Sequence, residues 1–495
     1  MVKKIDVLWL LEHTAREMDV ACAVKSLARA HYGTDITIRN IYLHANDLMK
    51  EYFPSIVIFP FLYRKSDLAI GDFVEAWPSA TYFNLAWEQV HYKAHLKMKA
   101  PGDEFTKQKV SHHAWGDFYK NYLVENGVPA EHIFVNGNPV YQLYKEPYNK
   151  YFKQRTQLAH QNGIDPAKKW VFIPENYKWA FFSDEKLLRS AERGGNLEEH
   201  MNMRAFCRES LGHVLRWCND VGKSGELEII FRPRPATNSQ TMNAFFRENL
   251  GVPAAHLHIT KAETVREWIM ASDVVLSSYS TSLIESAIAG KSIYMLEPVP
   301  IPDSLYCDWY DFVSRIHNSV EFEKACLEPQ ENNNHKLQIW AQDKMLSYGD
   351  PIERLAKFIA ELDRDVDASF KGRKDSSIYN KHLPVLISLH LMGNRKIRRL
   401  VRHIGYAIHS LLSACKIIVL HLLSLIISMK EEQEVRSKGT VSRRVLDRLN
   451  RALHLFIQGF RDENYYNPAT HENDKFTGAE VQERVEKWND ILVSS

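Results

Sequence analysis

The sequence predicts an α/β protein of two lobes, each a parallel sheet with helices around it, followed by a C-terminal helical region. Three observations carry that expectation. Short apolar runs alternate with segments of helical period through the first two thirds of the chain, the pattern of strands joined by helical crossovers. The alternation is interrupted by a polar, aromatic stretch from Tyr141 to Asp165 and then resumes. Beyond Asp367 the character changes to basic clusters beside long apolar runs. A chain of 495 residues has room for two or three domains, and the expected boundaries are 1–150, 151–367 and 368–495.

The elements follow in order. Ile5–Leu11 reads as a first strand and Thr14–Ala30 as a helix with Met18, Ala21, Val24 and Leu27 on one face, ended by Gly33. Ile36–Tyr42, Ser55–Pro60 and Ala80–Leu85 read as further strands, with a short helix at Leu48–Tyr52. Val110–Gly116 opens another unit, Asp117–Asn126 is its helix and Ile133–Val135 the next strand. In the second lobe Trp170–Pro174, Leu227–Phe231, His256–Ile259, Val274–Leu276 and Ile293–Leu296 are strands. Thr264–Met270 and Leu283–Ala289 are helices, the latter stopped by Gly290.

Composition is that of an ordinary globular protein, 45% hydrophobic and 25% charged. A formal net charge of +2 does not suggest a nucleic-acid binder. The six cysteines are scattered without a C-x-x-C pair, which fits a reducing compartment and argues against a disulfide framework or a zinc site. The opening M-V-K-K-I-D-V-L-W-L-L-E-H has only a short apolar run before Glu12, so it reads as a strand of a cytoplasmic domain and not as a cleavable signal.

Ligands of parallel sheets bind beyond the carboxyl ends of the strands, so the chemistry is sought there. The stretch Ala271–Pro298 reads as strand, hydroxyl-rich turn, helix and strand. Ser278, Ser280, Thr281 and Ser282 surround the helix start, where unpaired backbone N–H groups favour an anion, and Glu285 follows one turn later. Arg232 and Arg234 leave the strand Leu227–Phe231 in R-P-R-P and form a second expected phosphate contact. Transfer to a hydroxyl needs a group that takes its proton. Glu12, His13, Glu88 and Glu175 stand at strand ends as candidates. Spacing does not choose among them, and Glu88 is the first choice. Arg16 is the expected acceptor contact, and Glu17 reads as part of a solvated helix face. His112-His113 reads as structural, and no D-x-D pair stands where a sugar phosphate would need a metal. The expected chemistry is therefore metal-independent, with no cofactor, and arginines with a helix dipole neutralise the leaving group.

E-H-T-A-R-E-M-D near the start, A-W-G, G-N-P, R-P-R-P and S-D-V-V-L-S-S-Y-S-T-S-L-I-E-S-A together resemble bacterial surface-carbohydrate biosynthesis glycosyltransferases of the GT-B architecture. These are related in pattern to Kdo and polyol-phosphate transferases. The resemblance covers about the first 330 residues. Family members more often show R-P-H-P, so Arg234 stands where a histidine would, while Arg232 matches. The resemblance implies two Rossmann-like lobes around a cleft, a nucleotide-sugar donor on the second lobe near Ser278–Glu285, and a lipid-linked or oligosaccharide acceptor on the first. A CDP-polyol phosphotransferase and a non-catalytic assembly scaffold are the alternatives, and homo-oligomer formation is left open.

In the C-terminal region Arg395, Lys396, Arg398, Arg399 and Arg402 precede the apolar stretch 404–429, which Lys416 interrupts. A second amphipathic segment spans 441–460. A span needs about 20 uninterrupted apolar residues. The pattern therefore favours helices lying on an anionic membrane surface at the inner face of the cell membrane, with packing on the lobes or on each other, and a transmembrane span, as the alternatives.

Overall fold

The computed structural model describes residues 3–370 and 474–493, apart from 44, 67–69, 193–194, 235–236, 238 and 347–348. It contains two six-stranded sheets, parallel throughout. The first is built from β1 (Lys3–Leu11), β2 (Ile36–Asn40), β3 (Tyr52–Phe59), β4 (Thr81–Asn84), β5 (Val110–Ala114) and β6 (Ile133–Val135), in the order β2-β1-β3-β4-β5-β6. The second contains β7 (Lys169–Pro174), β8 (Leu227–Arg232), β9 (Leu257–Ile259), β10 (Val274–Ser277), β11 (Ser292–Leu296) and β12 (Arg315–Ile316), in the order β12-β11-β10-β7-β8-β9. The expected two-lobed α/β architecture is the one observed.

Strands covered on both faces need no alternation. Val7 to Leu11 of β1 are all buried, and Val7 lies between Ile36 of β2 and Ile56 of β3. β3 begins at Tyr52, earlier than expected, and carries Pro54 opposite Ile5. The missing N–H is tolerated because β4 pairs with β3 only from Ile56 onward. Helix α1 (Thr14–Leu27) passes into a π-helical turn at Ala28–Tyr32, closed by Gly33 at φ 74°. The helix Ile70–Ala76 and the two-residue β12 have no counterpart in the sequence expectation.

Each strand order reverses direction once. In the first sheet the reversal falls between β1 and β3, and in the second between β7 and β10. Crevices at such reversals are where open α/β sheets hold ligands. They bring forward Glu12 and His13 in one lobe, and Glu175, Asn176 and Ser278–Ser282 in the other.

The expected connection, Tyr141 to Asp165, is packed rather than extended: Tyr141, Tyr144, Tyr148, Tyr151 and Phe152 are buried. The first lobe is also completed from far along the chain. Helix Pro351–Phe370 returns to it, stacking Phe358 on Phe134 (4.0 Å, 4°), while Arg354 Nη2 donates to the Val135 carbonyl (2.9 Å). Helix Gly478–Leu492 runs against α1, with Val481, Val485 and Trp488 buried. The boundary expected at 367 thus falls inside a helix packed on the first lobe. Residues 474–493, expected in the membrane-associating region, are packed there as well, because their apolar face has a partner in the fold. Among the described residues no helix is long and apolar enough to cross a membrane. The segments 395–402, 404–429 and 441–460 lie outside the described residues.

Candidate functional site

At the mouth of the first lobe, Arg16 is the centre of a carboxylate cluster. Its guanidinium donates to Glu12 (3.0 Å), Glu17 (2.7 Å) and Glu88 (3.0 Å), and Glu88 also meets Lys99. Glu17 is not a solvated residue: it is fully buried and accepts the backbone N–H groups of Glu12 (2.9 Å) and His13 (3.3 Å). A helix start leaves such groups without partners, and a carboxylate there satisfies them. Burial raises the Glu17 pKa, against the pull of Arg16. Glu12 also accepts from Tyr42 Oη (3.2 Å), and Glu88 remains half exposed. Two proton-acceptor candidates and the expected acceptor contact therefore form one network.

His13 borders this network, with its backbone N–H on Glu17 and its Nε2 3.9 Å from Glu12. Its Nδ1 lies 3.2 Å from Oδ2 of Asp474, a residue 461 positions away. The imidazole pKa is raised: burial acts to lower it, and the Asp474 bond and Glu12 outweigh that.

In the second lobe several expectations are redistributed. Arg232 is 4% exposed, and its Nε and Nη2 both donate to the Glu263 carbonyl (3.2 and 2.8 Å). Glu263 holds φ at 59°, so Arg232 fixes a strained turn rather than offering its fork to a phosphate. Burial pushes its pKa down to about 10. Glu175 is buried and accepts the N–H groups of Tyr177 and of Arg234 (3.1 Å). That makes it a turn organiser rather than a free base. Glu285 accepts from Tyr144 Oη (2.6 Å), and burial raises its pKa. The helix after β10 spans only Ser282–Ile288. Ser280 Oγ lies 3.0 Å from Ser282 Oγ and receives the Ser282 N–H (3.3 Å), Thr281 is exposed, and Ser278 is buried. Ser280 and Ser282 therefore bond to each other at this start, while the buried Ser278 Oγ has no hydrogen-bond partner among the described residues.

Arg234 is the arginine that reaches the crevice. Its Nη1 donates to Asn176 Oδ1 (2.9 Å), and Asn176 Nδ2 donates to the Tyr279 carbonyl (3.4 Å), linking the ends of β7 and β10 across the reversal. Tyr279 also accepts from Tyr92 Oη of the first lobe (3.0 Å). Lys178 lies beside Arg234. Partial enclosure and that neighbouring cation lower its pKa to about 8. Lys99, on the first-lobe side, is likewise held at about 8 by burial and then by Arg16, with Lys178 adding to the effect. Arg16, Lys99, Lys178 and Arg234 thus form a row of mutually coupled cations across the two sheets' carboxyl ends. Glu12, Glu17 and Glu88 offset Arg16 and Lys99 at one end of this row, so an anion is drawn to its Lys178–Arg234 end.

Lys99 and Lys178 were missed by the sequence reading. Lys178 follows Glu175-Asn176 by two residues, and Lys99 ends the basic run after Glu88, so position beyond a strand end was the available signal. His112 and His113 are buried, and among the described residues no group of three potential ligands could hold a metal ion.

No family model and no curated protein matches the sequence. Solved structures similar to the chain include a UDP-GlcNAc 2-epimerase from Neisseria meningitidis bound to UDP-GlcNAc, at 12% identity and TM-score 0.46, covering 72% of this chain and 99% of that one. The wall teichoic acid polymerase TagF is similar at 10% identity and TM-score 0.49, with 75% and 91% covered. A UDP-GlcNAc 2-epimerase from Methanocaldococcus jannaschii, in complex with UDP-GlcNAc and UDP, is similar at 12% identity and TM-score 0.46, with 72% and 100% covered.

Proposed function

We propose that the chain is a glycosyltransferase that moves a sugar from a nucleotide-activated donor to a surface polysaccharide or lipid-linked acceptor at the inner face of the cell membrane. The observation that carries this reading is the cation row Arg16, Lys99, Lys178 and Arg234 at the carboxyl ends of two parallel sheets. In such a transfer the acceptor oxygen attacks the anomeric carbon and the bond from that carbon to the phosphate oxygen breaks. The electron pair leaves on the phosphate, and the acceptor proton passes to a protein base. Arg234 and Lys178 would meet the negative charge that develops on the phosphate, and fixed cations act most strongly in a site shielded from water. Glu12, Glu88 and His13, at the ends of β1 and β4, are the groups within reach of an acceptor held by the first lobe.

Calorimetry with CMP, CDP, UDP and GDP tests the site. A charge-assisted hydrogen bond contributes about 1.5–3 kcal/mol, so Arg234→Ala or Lys178→Ala should weaken the nucleotide that binds by roughly tenfold to over a hundredfold. Arg232→Ala should act mainly on stability. If no nucleotide binds, or both variants bind as the parent does, the reading is wrong.

A further inference from the structure

We propose that Tyr92 is a positioning residue for the candidate anion site, a first-lobe hydroxyl that holds Arg234 of the second lobe in place through the Tyr279 carbonyl and the Asn176 amide. The proposal rests on the transferase reading above and adds to its nucleotide site a residue from the opposite lobe.

The loop from Glu88 to Lys99 reaches from one lobe to the other. At its two ends Glu88 and Lys99 meet each other beside Arg16. Its middle lies on the second lobe. Lys93 Nζ pairs with Asp303 (2.7 Å) and stands over the Tyr306 ring at 5.1 Å, and Cys307 Sγ donates to the His91 carbonyl (3.4 Å). Tyr92 packs edge-on against Tyr279, with ring centroids 6.0 Å apart at 74°. The Lys93 pair is exposed on both sides and contributes little. Tyr92, through its ring and its hydroxyl, gives the contact its geometry.

Each link from Tyr92 to Arg234 has one possible polarity. A guanidinium only donates, so Arg234 Nη1 must meet Asn176 Oδ1 (2.9 Å), and this turns Asn176 Nδ2 to the Tyr279 carbonyl (3.4 Å). That carbonyl has two lone pairs, and Tyr92 Oη fills the second (3.0 Å). Burial and then Cys307 push the Tyr92 pKa up to about 12, while a hydrogen bond from Asn176 and the charge of Arg234 act to lower it. Asn176 is thus gripped by Tyr92 directly as well as through the carbonyl. The backbone of Arg234 is fixed separately, by its N–H on Glu175 (3.1 Å). What remains to be set is the Arg234 side chain, which Asn176 holds by one Nη. A fork held there presents its other donors to an anion in one direction. Losing that hold lowers affinity through freed rotamers rather than through lost charge.

Calorimetry on the full chain tests the role, with whichever of CMP, CDP, UDP and GDP the parent binds. Tyr92→Phe keeps the ring on Tyr279 and removes only the hydroxyl. A neutral hydrogen bond is worth a factor of about two to ten, so nucleotide affinity should fall by about fivefold. In an Asn176→Ala background, where the link is already cut, Tyr92→Phe should cost less than about twofold. With a processed donor and acceptor, Tyr92→Phe should raise the donor KM by about fivefold and leave the acceptor KM within about twofold, although Tyr92 belongs to the first lobe. A loop that had merely loosened would carry Glu88 and Lys99 with it and move the acceptor KM as well. Unchanged nucleotide affinity in Tyr92→Phe overturns the positioning role and leaves the transferase reading intact. So does a loss that persists undiminished in Asn176→Ala, or one accompanied by an equal rise in the acceptor KM. A parent chain that binds no nucleotide overturns both readings.

Discussion

Replacing Asp19 by Asn should cost about 3 kcal/mol of stability, and the structure supplies the reasons. Asp19, on α1, is 3% exposed at its side chain and takes Arg266 Nη2 of the second lobe (2.7 Å) on one oxygen and Arg484 Nη1 (3.0 Å) on the other. Arg266 is itself 4% exposed, and its Nε has no partner among the described residues. Breaking a buried pair by removing one charge costs about 3–5 kcal/mol, because the surviving charge is left in a poor solvent. Two effects place this case at the low end. Arg266 Nη2 retains the Ala15 and Arg16 carbonyls at 3.3 and 3.4 Å, and Asn preserves the shape and one acceptor. The Arg484 side chain is 38% exposed and can turn to water, so its share is small. Urea unfolding followed by tryptophan fluorescence reads the loss. Combining Asp19→Asn with Arg266→Met removes the stranded charge and should recover more than half of it. A single variant within about 1 kcal/mol of the parent, or a double variant no better than the single, refutes the claim that the cost comes from a stranded Arg266.

Two further outcomes follow from the packing. Burial pushes His112 and His113 each to about 4, below the ordinary 6.5, so the unfolded chain binds these protons more readily than the folded one. Their stabilising effect is present above about pH 6.5 and is lost as the pH falls toward 4. Urea midpoints should drop over that window, and His113→Gln should lessen the slope; a parent midpoint that does not change between pH 7 and 4.5 contradicts the assignment. Trp488 is fully buried and stacks on Tyr151 at an angle of 4°, so Trp488→Ala should release helix Gly478–Leu492 at a cost of about 3–5 kcal/mol. Limited proteolysis should then cut within 474–493 while both sheets resist, and an unchanged digestion pattern shows that the helix is held by other contacts.

The strands were legible because parallel sheets covered on both faces leave unbroken apolar runs, and β1, β6, β7 and β10 were located within one or two residues on that ground alone. β12 was not legible, since two residues carry no period, and helix Ile70–Ala76 is too short to show one. Strand ends also placed Glu12 and Arg234 beside the reversals of strand order. What the sequence could not show is which polar groups each residue meets. R-P-R-P presents two similar arginines, yet one meets the carbonyl of Glu263 and the other meets Asn176. Glu17 occupies a helical position that period assigns to solvent, and only the unpaired N–H groups of the turn before it explain its burial. Asp474 is separated from His13 by most of the chain. Thr477 and Glu480 form a capping box at the start of the helix that follows, but nothing local says where that helix docks.

The return of helix Pro351–Phe370 to Phe134 and Val135 has a consequence for biosynthesis. When the ribosome has made the first 150 residues, the six strands of the first sheet exist, but the surface that Phe358 will cover is open to water. So is the face of α1 that Trp488, Val481 and Val485 will cover. The lobe made first is therefore the lobe finished last. It must wait in an incomplete form while the second lobe is synthesised, exposing aromatic surface for which another nascent chain can compete. The second sheet has its β12 edge in place before residue 320 and does not wait for the C-terminal helix. Order of synthesis and order of completion run in opposite directions along this chain.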